Sequence, residues 1–233
     1  MQDDRDQVIA AKTGWISLLF ILAGAVSGIW VAGSPSWFST LHRFPNTAFT
    51  TLLFLAGAAA QRRGVPRNYQ WSIVAGLGCS ATGDAFLMQS RDHFLAGLAS
   101  FLAAHVCYLW ALTRDCRLAG RRAFFVVWGL LGLTLVWWLW PGVENPLRVP
   151  VAVYALALVI MAAQAASRAA LKPDRATLLA AVGAGFFVVS DSLLAFQRFR
   201  HPLEFGHVLV LGTYFIAQAS IALSVVLYQA RRT

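Results

Sequence analysis

Apolar runs of membrane-crossing length, each closed by a short polar cluster, fill most of the chain. A helix needs about 20 such residues to traverse a hydrocarbon core. Eight stretches are predicted as spans: Trp15–Ala32, Phe44–Ala60, Tyr69–Gln89, His93–Leu112, Ala123–Trp140, Leu147–Ser167, Thr177–Gln197 and Gly206–Tyr228. The breaks carry turn residues, among them Gly33-Ser34-Pro35, Gly64-Val65-Pro66, Pro141-Gly142, Lys172-Pro173 and His201-Pro202. The second span is the shortest and opens at Pro45, a favourable first-turn residue. Trp37, Trp71, Trp138 and Trp140 lie near span ends, as interfacial anchors do. None of the runs alternates in polarity as a barrel strand would. Lipid tolerates only structures that satisfy their own backbone, so the runs predict α-helices.

Composition sharpens this picture. Of the 233 residues, 58% are hydrophobic and 12% charged, against about 25% charged in a soluble domain. The predicted fold is all-α: one integral membrane domain, residues 1–233, without soluble module, linker or low-complexity tract. The net charge of +9 reads as a topology signal and not as a nucleic-acid footprint. The amino-terminal segment, the even-numbered loops and the tail hold 14 of the 19 Lys and Arg, and the odd-numbered loops hold 5. By the positive-inside rule both termini are expected in the cytoplasm. Cys79, Cys107 and Cys116 show no CxxC spacing and predict neither disulfide nor zinc site. The acidic start MQDDRDQVIAAKTG has no basic n-region, and no small-residue cleavage site follows the first run. A retained first helix is therefore expected, and no signal peptide. A bacterial inner membrane fits these features.

Two residues break the apolar pattern where lipid should be. Asp84, in GLGCSATGDAFLMQ, and Asp191, in GAGFFVVSDSLLAFQRF, sit inside spans three and seven. Insertion scales set the cost of such a residue at about 2.5–3.5 kcal/mol, so it marks function by default. A purely structural carboxylate would want a basic partner, and the spans contain almost no Lys or Arg. In the expected orientation both aspartates fall in the outer half of their helices, the common depth that a shared site requires. An offset of 107 positions relates Asp84 to Asp191, Gly76 to Gly183 and Leu87 to Leu194. Four spans separate the two, so a duplication would give a 4+4 parallel repeat; chance matches among apolar helices are the alternative.

Other polar residues recur on these helices. Ser80 lies one turn below Asp84, while Ser190 and Ser192 flank Asp191. His105 and Tyr108 are three apart on span four. Span six offers Tyr154 and Gln164, and span eight Tyr214 and Gln218. Turned inward, these faces would enclose one polar cavity; singly, each also suits interhelical hydrogen bonding. The chain has no HExxH, GxSxG, Walker or Gly-rich nucleotide motif, and no metal is predicted. What remains is a pair of carboxyls in low dielectric, one protonated and one ionised, which is a general acid/base couple. The same features describe a proton-coupled carrier or a non-catalytic lipid-binding protein.

Taken together, the segments resemble the YhhN-like lysoplasmalogenase family. The resemblance rests on HRFPNT at the start of span two, SATGDAFLM in span three and FLAGLASFLAAHVCYL in span four. VYALALVIMAAQA, GAGFFVVSDSLLAF and TYFIAQASIA continue it through spans six to eight. GD-x-x-L and F-x-x-SD-x-L-L are its specific elements. The resemblance implies hydrolysis of the sn-1 vinyl ether of lysoplasmalogens, giving a fatty aldehyde and glycerophosphoethanolamine or glycerophosphocholine. It implies no metal or other cofactor, and as partners a lysophospholipid and the bilayer. The chemistry suits the residues. A vinyl ether opens when its β-carbon is protonated, and water captures the oxocarbenium ion, much as paired carboxylates serve glycosidases. Asp84 and Asp191 are expected as acid and base, in either order. His105, Tyr108, Tyr154, Tyr214 and Gln218 are expected to orient water or the glycerol hydroxyl, supported by Ser80, Ser190 and Asn46. The family's Lys-Pro-like element reads Arg43-Phe44-Pro45 here, which makes Arg43 the expected phosphate contact. Cleavage of an acyl lysophospholipid or an amide lipid is the nearest rival reaction.

Overall fold

The computed structural model describes residues 15–27, 30, 40–60, 64–89 and 93–228, and the side chains of the second helix from Thr47 onward. Among these residues every regular element is helical. The helices are α1 (Trp15–Ser27), α2 (Thr40–Ala60), α3 (Arg67–Gln89), α4 (Phe94–Leu112), α5 (Arg122–Leu139), α6 (Arg148–Leu171), α7 (Arg175–Phe199) and α8 (Gly206–Val226). Each falls on a predicted span. The helices α4 to α8, with the short 3-10 turns beside α5 and α6, are long and apolar enough to cross a membrane. The chain is thus an integral, multi-pass membrane protein. Large apolar side chains face outward, such as Trp137 at 74% and Leu133 at 67% exposure on α5. Such a face is a liability in water and the expected one against lipid tails.

The boundaries differ from the predicted ones in instructive ways. α2 begins at Thr40, so Pro45 is its sixth residue and does not open the helix. α6 runs past Ser167 to Leu171 and α7 past Gln197 to Phe199. The added turns contain Arg168 and Arg198, whose side chains meet carboxylates of neighbouring connections. The end of the predicted first span, beyond Ser27, falls largely outside the described residues.

In the bundle α3 pairs with α4 and α7 with α8; α2 bridges α3 and α8, and α6 lies between α4 and α7. α5 leans on the outer face of α6, and Leu139 is its buried residue. Seven helices contribute to one interior, with Ile21, Phe54, Leu77, Phe101, Leu158, Phe187 and Ala217 among its residues.

Charge pins one end of the bundle. Asp115, in the loop after α4, accepts hydrogen bonds from Arg168 Nε at 2.8 Å and Nη2 at 3.0 Å. Arg168 is only 1% exposed and its guanidinium lies 5.0 Å over the Tyr69 ring. Lys172 Nζ donates to the Asp115 backbone carbonyl. Partial burial pushes the Asp115 carboxyl up, but the hydrogen bonds and charge of Arg168, joined by Lys172, outweigh it and hold the group below its ordinary value. Gln164 secures the same loop, accepting from the Ala119 N–H and donating to the carbonyls of Leu112 and Arg117. At the other end a Cβ on Gly142 would lie 1.8 Å from the Phe199 carbonyl oxygen. Only glycine lets the α5–α6 connection close on the end of α7 there.

Candidate active site

Asp84, on α3, is 4% exposed. Its Oδ2 accepts the Thr51 hydroxyl of α2 at 2.7 Å and the Tyr214 hydroxyl of α8 at 2.8 Å. Behind Tyr214 stands Gln218, whose Nε2 donates to the Tyr214 oxygen at 2.9 Å. Tyr108 OH of α4 in turn donates to Gln218 Oε1 at 2.9 Å. That spends the one phenolic proton, so Ser80 Oγ, 3.3 Å away, is the donor to Tyr108. The chain runs Ser80, Tyr108, Gln218, Tyr214, Asp84, and each link donates toward the carboxyl. Gly76 makes room for it: a Cβ there would lie 2.2 Å from the Tyr108 ring.

Asp191, on α7, anchors a second network. Tyr154 OH of α6 donates to its Oδ2 at 2.5 Å. His105 Nε2 of α4 lies 3.0 Å from the same phenol oxygen and 3.5 Å from Asp191 Oδ2. Because Tyr154 has already given its proton, the imidazole must donate through Nε2. Its Nδ1 is buried without a hydrogen-bond partner, which matches a neutral ring protonated at Nε2.

An apolar pocket opens among α4, α5, α6 and α7. Leu98, Trp128, Leu131, Leu158 and Leu194 contribute to its walls, and Tyr154, Asp191 and Ser192 give it polar groups. Phe101 lines it too and packs edge-on against Phe187 at 6.2 Å and Tyr214 at 5.9 Å. Phe187 touches His105 at 4.8 Å and Tyr214 at 5.6 Å. These two rings link the Asp191 network, which faces the pocket, to the Asp84 network behind it.

The structure thus gathers Ser80, Tyr108, Tyr214 and Gln218 around Asp84, and His105 and Tyr154 around Asp191. It does not bring in Ser190, whose hydroxyl donates to the Val210 carbonyl of α8 at 3.0 Å and ties the two helices together. Ser192 donates back to the Val188 carbonyl. Gln164 serves the loop after α4 instead. The side chains of Arg43 and Asn46 lie outside the described residues. Sequence reasoning missed Thr51, the closest donor to Asp84, and the rings of Phe101 and Phe187. Thr47, Thr50 and Thr51, on an otherwise apolar run, were the available signal.

The fold and site define a helical membrane protein with two carboxyl networks, one buried and one on the wall of an apolar pocket. The chain matches the YhhN family over residues 44–225, a stretch that holds every member of both networks, and it belongs to that family. It is 34% identical to the human protein named lysoplasmalogenase TMEM86A over 203 residues, 85% of this chain and 82% of that one. Similarity to lysoplasmalogenase TMEM86B of Sus scrofa is 30% over 213 residues, 91% and 86% of the two chains. With a lysoplasmalogenase of Mycobacterium tuberculosis (strain CDC 1551 / Oshkosh) it is 36% over 169 residues, 69% and 62%. No solved structure matches the chain.

Proposed function

We propose that the protein is a lysoplasmalogenase, hydrolysing the sn-1 vinyl ether of a lysoplasmalogen to a fatty aldehyde and the glycerophospho-headgroup alcohol. The names of the relatives point there. The observation that carries the reading is Asp191, a carboxyl hydrogen-bonded by a phenol on the wall of an otherwise apolar pocket. An alkenyl chain fits such walls, and its reactive double bond needs a proton and little else.

Asp191, protonated, gives its proton to the β-carbon of the vinyl ether. The π electrons form the new C–H bond, and positive charge spreads over the α-carbon and the ether oxygen. The Tyr154 hydroxyl strengthens its bond to the carboxylate left behind. Asp84 is assigned as the base for the water that attacks the α-carbon; it lies behind the Phe101 and Phe187 rings, so the proton reaches it through the Tyr214 hydroxyl that donates to it. The hemiacetal so formed gives its hydroxyl proton to the Asp191 carboxylate as its bond to the glycerol oxygen breaks. That oxygen takes up the proton held by Asp84, the aldehyde leaves, and both carboxyls return to their starting states. One water is consumed. General acid–base assistance of this kind contributes roughly 10²–10⁴-fold.

All eight helices are read as spans with both termini in the cytoplasm of a bacterial inner membrane. The arginines of the α4–α5 connection, Arg114, Arg117 and Arg121, support that orientation. A parallel repeat is supported by the pairs α3–α4 and α7–α8, each with its aspartate on the first helix. Arg43 and Asn46 are assigned to the headgroup side of the substrate.

The test is aldehyde release by detergent-purified protein from lysoplasmenylethanolamine, with the acyl lysolipid as control. Aldehyde from the vinyl ether alone, lost on Asp84→Asn and on Asp191→Asn in folded protein, is expected. Full turnover by either variant would sink the acid/base assignment. Flux into liposomes without aldehyde would replace the enzyme by a carrier.

A further inference from the structure

We propose that Arg198 binds the phosphodiester of the lysolipid at the end of the pocket and sets the register of the vinyl ether over Asp191. This rests on the reading above and places the phosphodiester on a described residue, in place of the contact expected at Arg43. Arg198 follows Asp191 by seven residues on α7. Seven residues are two turns, so both side chains leave the same face, about 10.5 Å apart along the axis. Leu194 and Ala195, between them, line the pocket.

The guanidinium stands at the pocket's rim. It lies 5.3 Å over the ring of Phe94 and 6.0 Å from that of Phe199, both of which line the pocket. Its hydrogen-bonding capacity is under-used. Nε is buried without a partner, and Nη2 is 4.0 Å from a carboxylate oxygen of Glu144, a residue 66% exposed. A guanidinium has five donors in a fork that suits phosphate. Arg148 adds charge at the same rim, stacked 5.4 Å over Trp140 and donating to the Val143 carbonyl. Arg200 lies over Trp138 at 5.6 Å.

The substrate's dimensions match. Six single bonds separate the vinyl-ether carbon from phosphorus, a reach of roughly 7 Å when extended at bond lengths near 1.5 Å. The separation of about 10.5 Å is between backbone positions, and the long arginine side chain and the phosphate oxygens take up the difference. A lysolipid can therefore lay its glycerol along Leu194 and Ala195, with the phosphate on Arg198 and the double bond at Asp191.

The experiment compares steady-state aldehyde release from 1-alkenyl-glycerophosphoethanolamine and from 1-alkenylglycerol, which has the same vinyl ether and no phosphate. Wild-type protein should favour the phospholipid in kcat/KM by tenfold or more. Arg198→Ala should raise KM for the phospholipid about tenfold while leaving 1-alkenylglycerol within about twofold, and Arg198→Lys should fall between. Equal losses on both substrates would reduce Arg198 to a support for the end of α7. An unchanged Arg198→Ala, or a phosphate-specific loss only on Arg43→Ala, would overturn the assignment. Should the Arg198 variants not fold, a wild-type preference near unity overturns it without them. Wild-type protein that releases aldehyde but shows no split refutes Arg198 alone. Failure on both substrates refutes the lysoplasmalogenase reading and this assignment with it.

Discussion

Replacing Tyr154 by Phe deletes one oxygen and leaves the ring. That oxygen donates to Asp191 at 2.5 Å and receives His105 Nε2 at 3.0 Å. In the proposed reaction Asp191 is a neutral acid at the start and a carboxylate after proton transfer. The Tyr154 bond is therefore charge-assisted mainly in the transition state. Hydrogen bonds to charged groups contribute about 1.5–3 kcal/mol, which corresponds to roughly 10–150-fold in kcat. His105 Nε2 is already 3.5 Å from Asp191 Oδ2 and would close part of the gap, so the lower part of that range, about 10–30-fold, is expected. KM should hold, because the lost hydroxyl touches the acid and not the headgroup. The ring would keep its packing against His105, 5.1 Å away, so the melting temperature should move little. The assay is initial-rate aldehyde release across substrate concentration for wild type, Tyr154→Phe, and Tyr154→Phe combined with His105→Ala. The double variant should lose more than the single. A kcat within about twofold of wild type in both, or a loss confined to KM, would refute the role given to the Asp191 network.

Two further outcomes concern the frame that carries the site. Asp115→Asn leaves the guanidinium of Arg168 buried without its counter-charge. Breaking a buried pair costs about 3–5 kcal/mol, and the partial exposure of Asp115, 23%, places the loss at the low end. The pH dependence has a fixed sign. A carboxyl held below its unfolded value, about 3.9, contributes fully above that pH and loses its contribution as pH falls through the folded value. The melting-temperature gap between wild type and Asp115→Asn should stay constant from pH 7 to about 4 and close only as pH falls on through the lowered folded value; a gap that widens as pH falls, or no gap at pH 7, contradicts the ion pair. Gly142→Ala places a methyl on the Phe199 carbonyl. It should cost roughly 1–3 kcal/mol by overpacking and raise KM by shifting the end of α7, read by melting and kinetics.

Much of the frame was legible along the chain. Apolar runs of spanning length give helices wherever they pack, because the backbone must bond to itself in lipid. Asp84 and Asp191 stood out for the same local reason: a carboxyl in such a run is costly whatever its neighbours. The spacing of His105 and Tyr108 told that they share a face. It did not tell that they serve different carboxyls, His105 beside Asp191 and Tyr108 in the chain to Asp84.

Only the tertiary structure made those assignments. Ser190 is next to Asp191 in sequence, yet one helical step of about 100° turns it to the backbone of α8. Gln164 shares α6 with Tyr154 and is spent on a loop. Thr51, from a helix without any charged residue between Phe44 and Ala60, became the nearest donor to Asp84. Helical periodicity fixes which residues share one face of one helix. Which neighbour that face meets depends on contacts such as Asp84 with Tyr214, 130 residues apart, and close packing of whole helices decides those contacts.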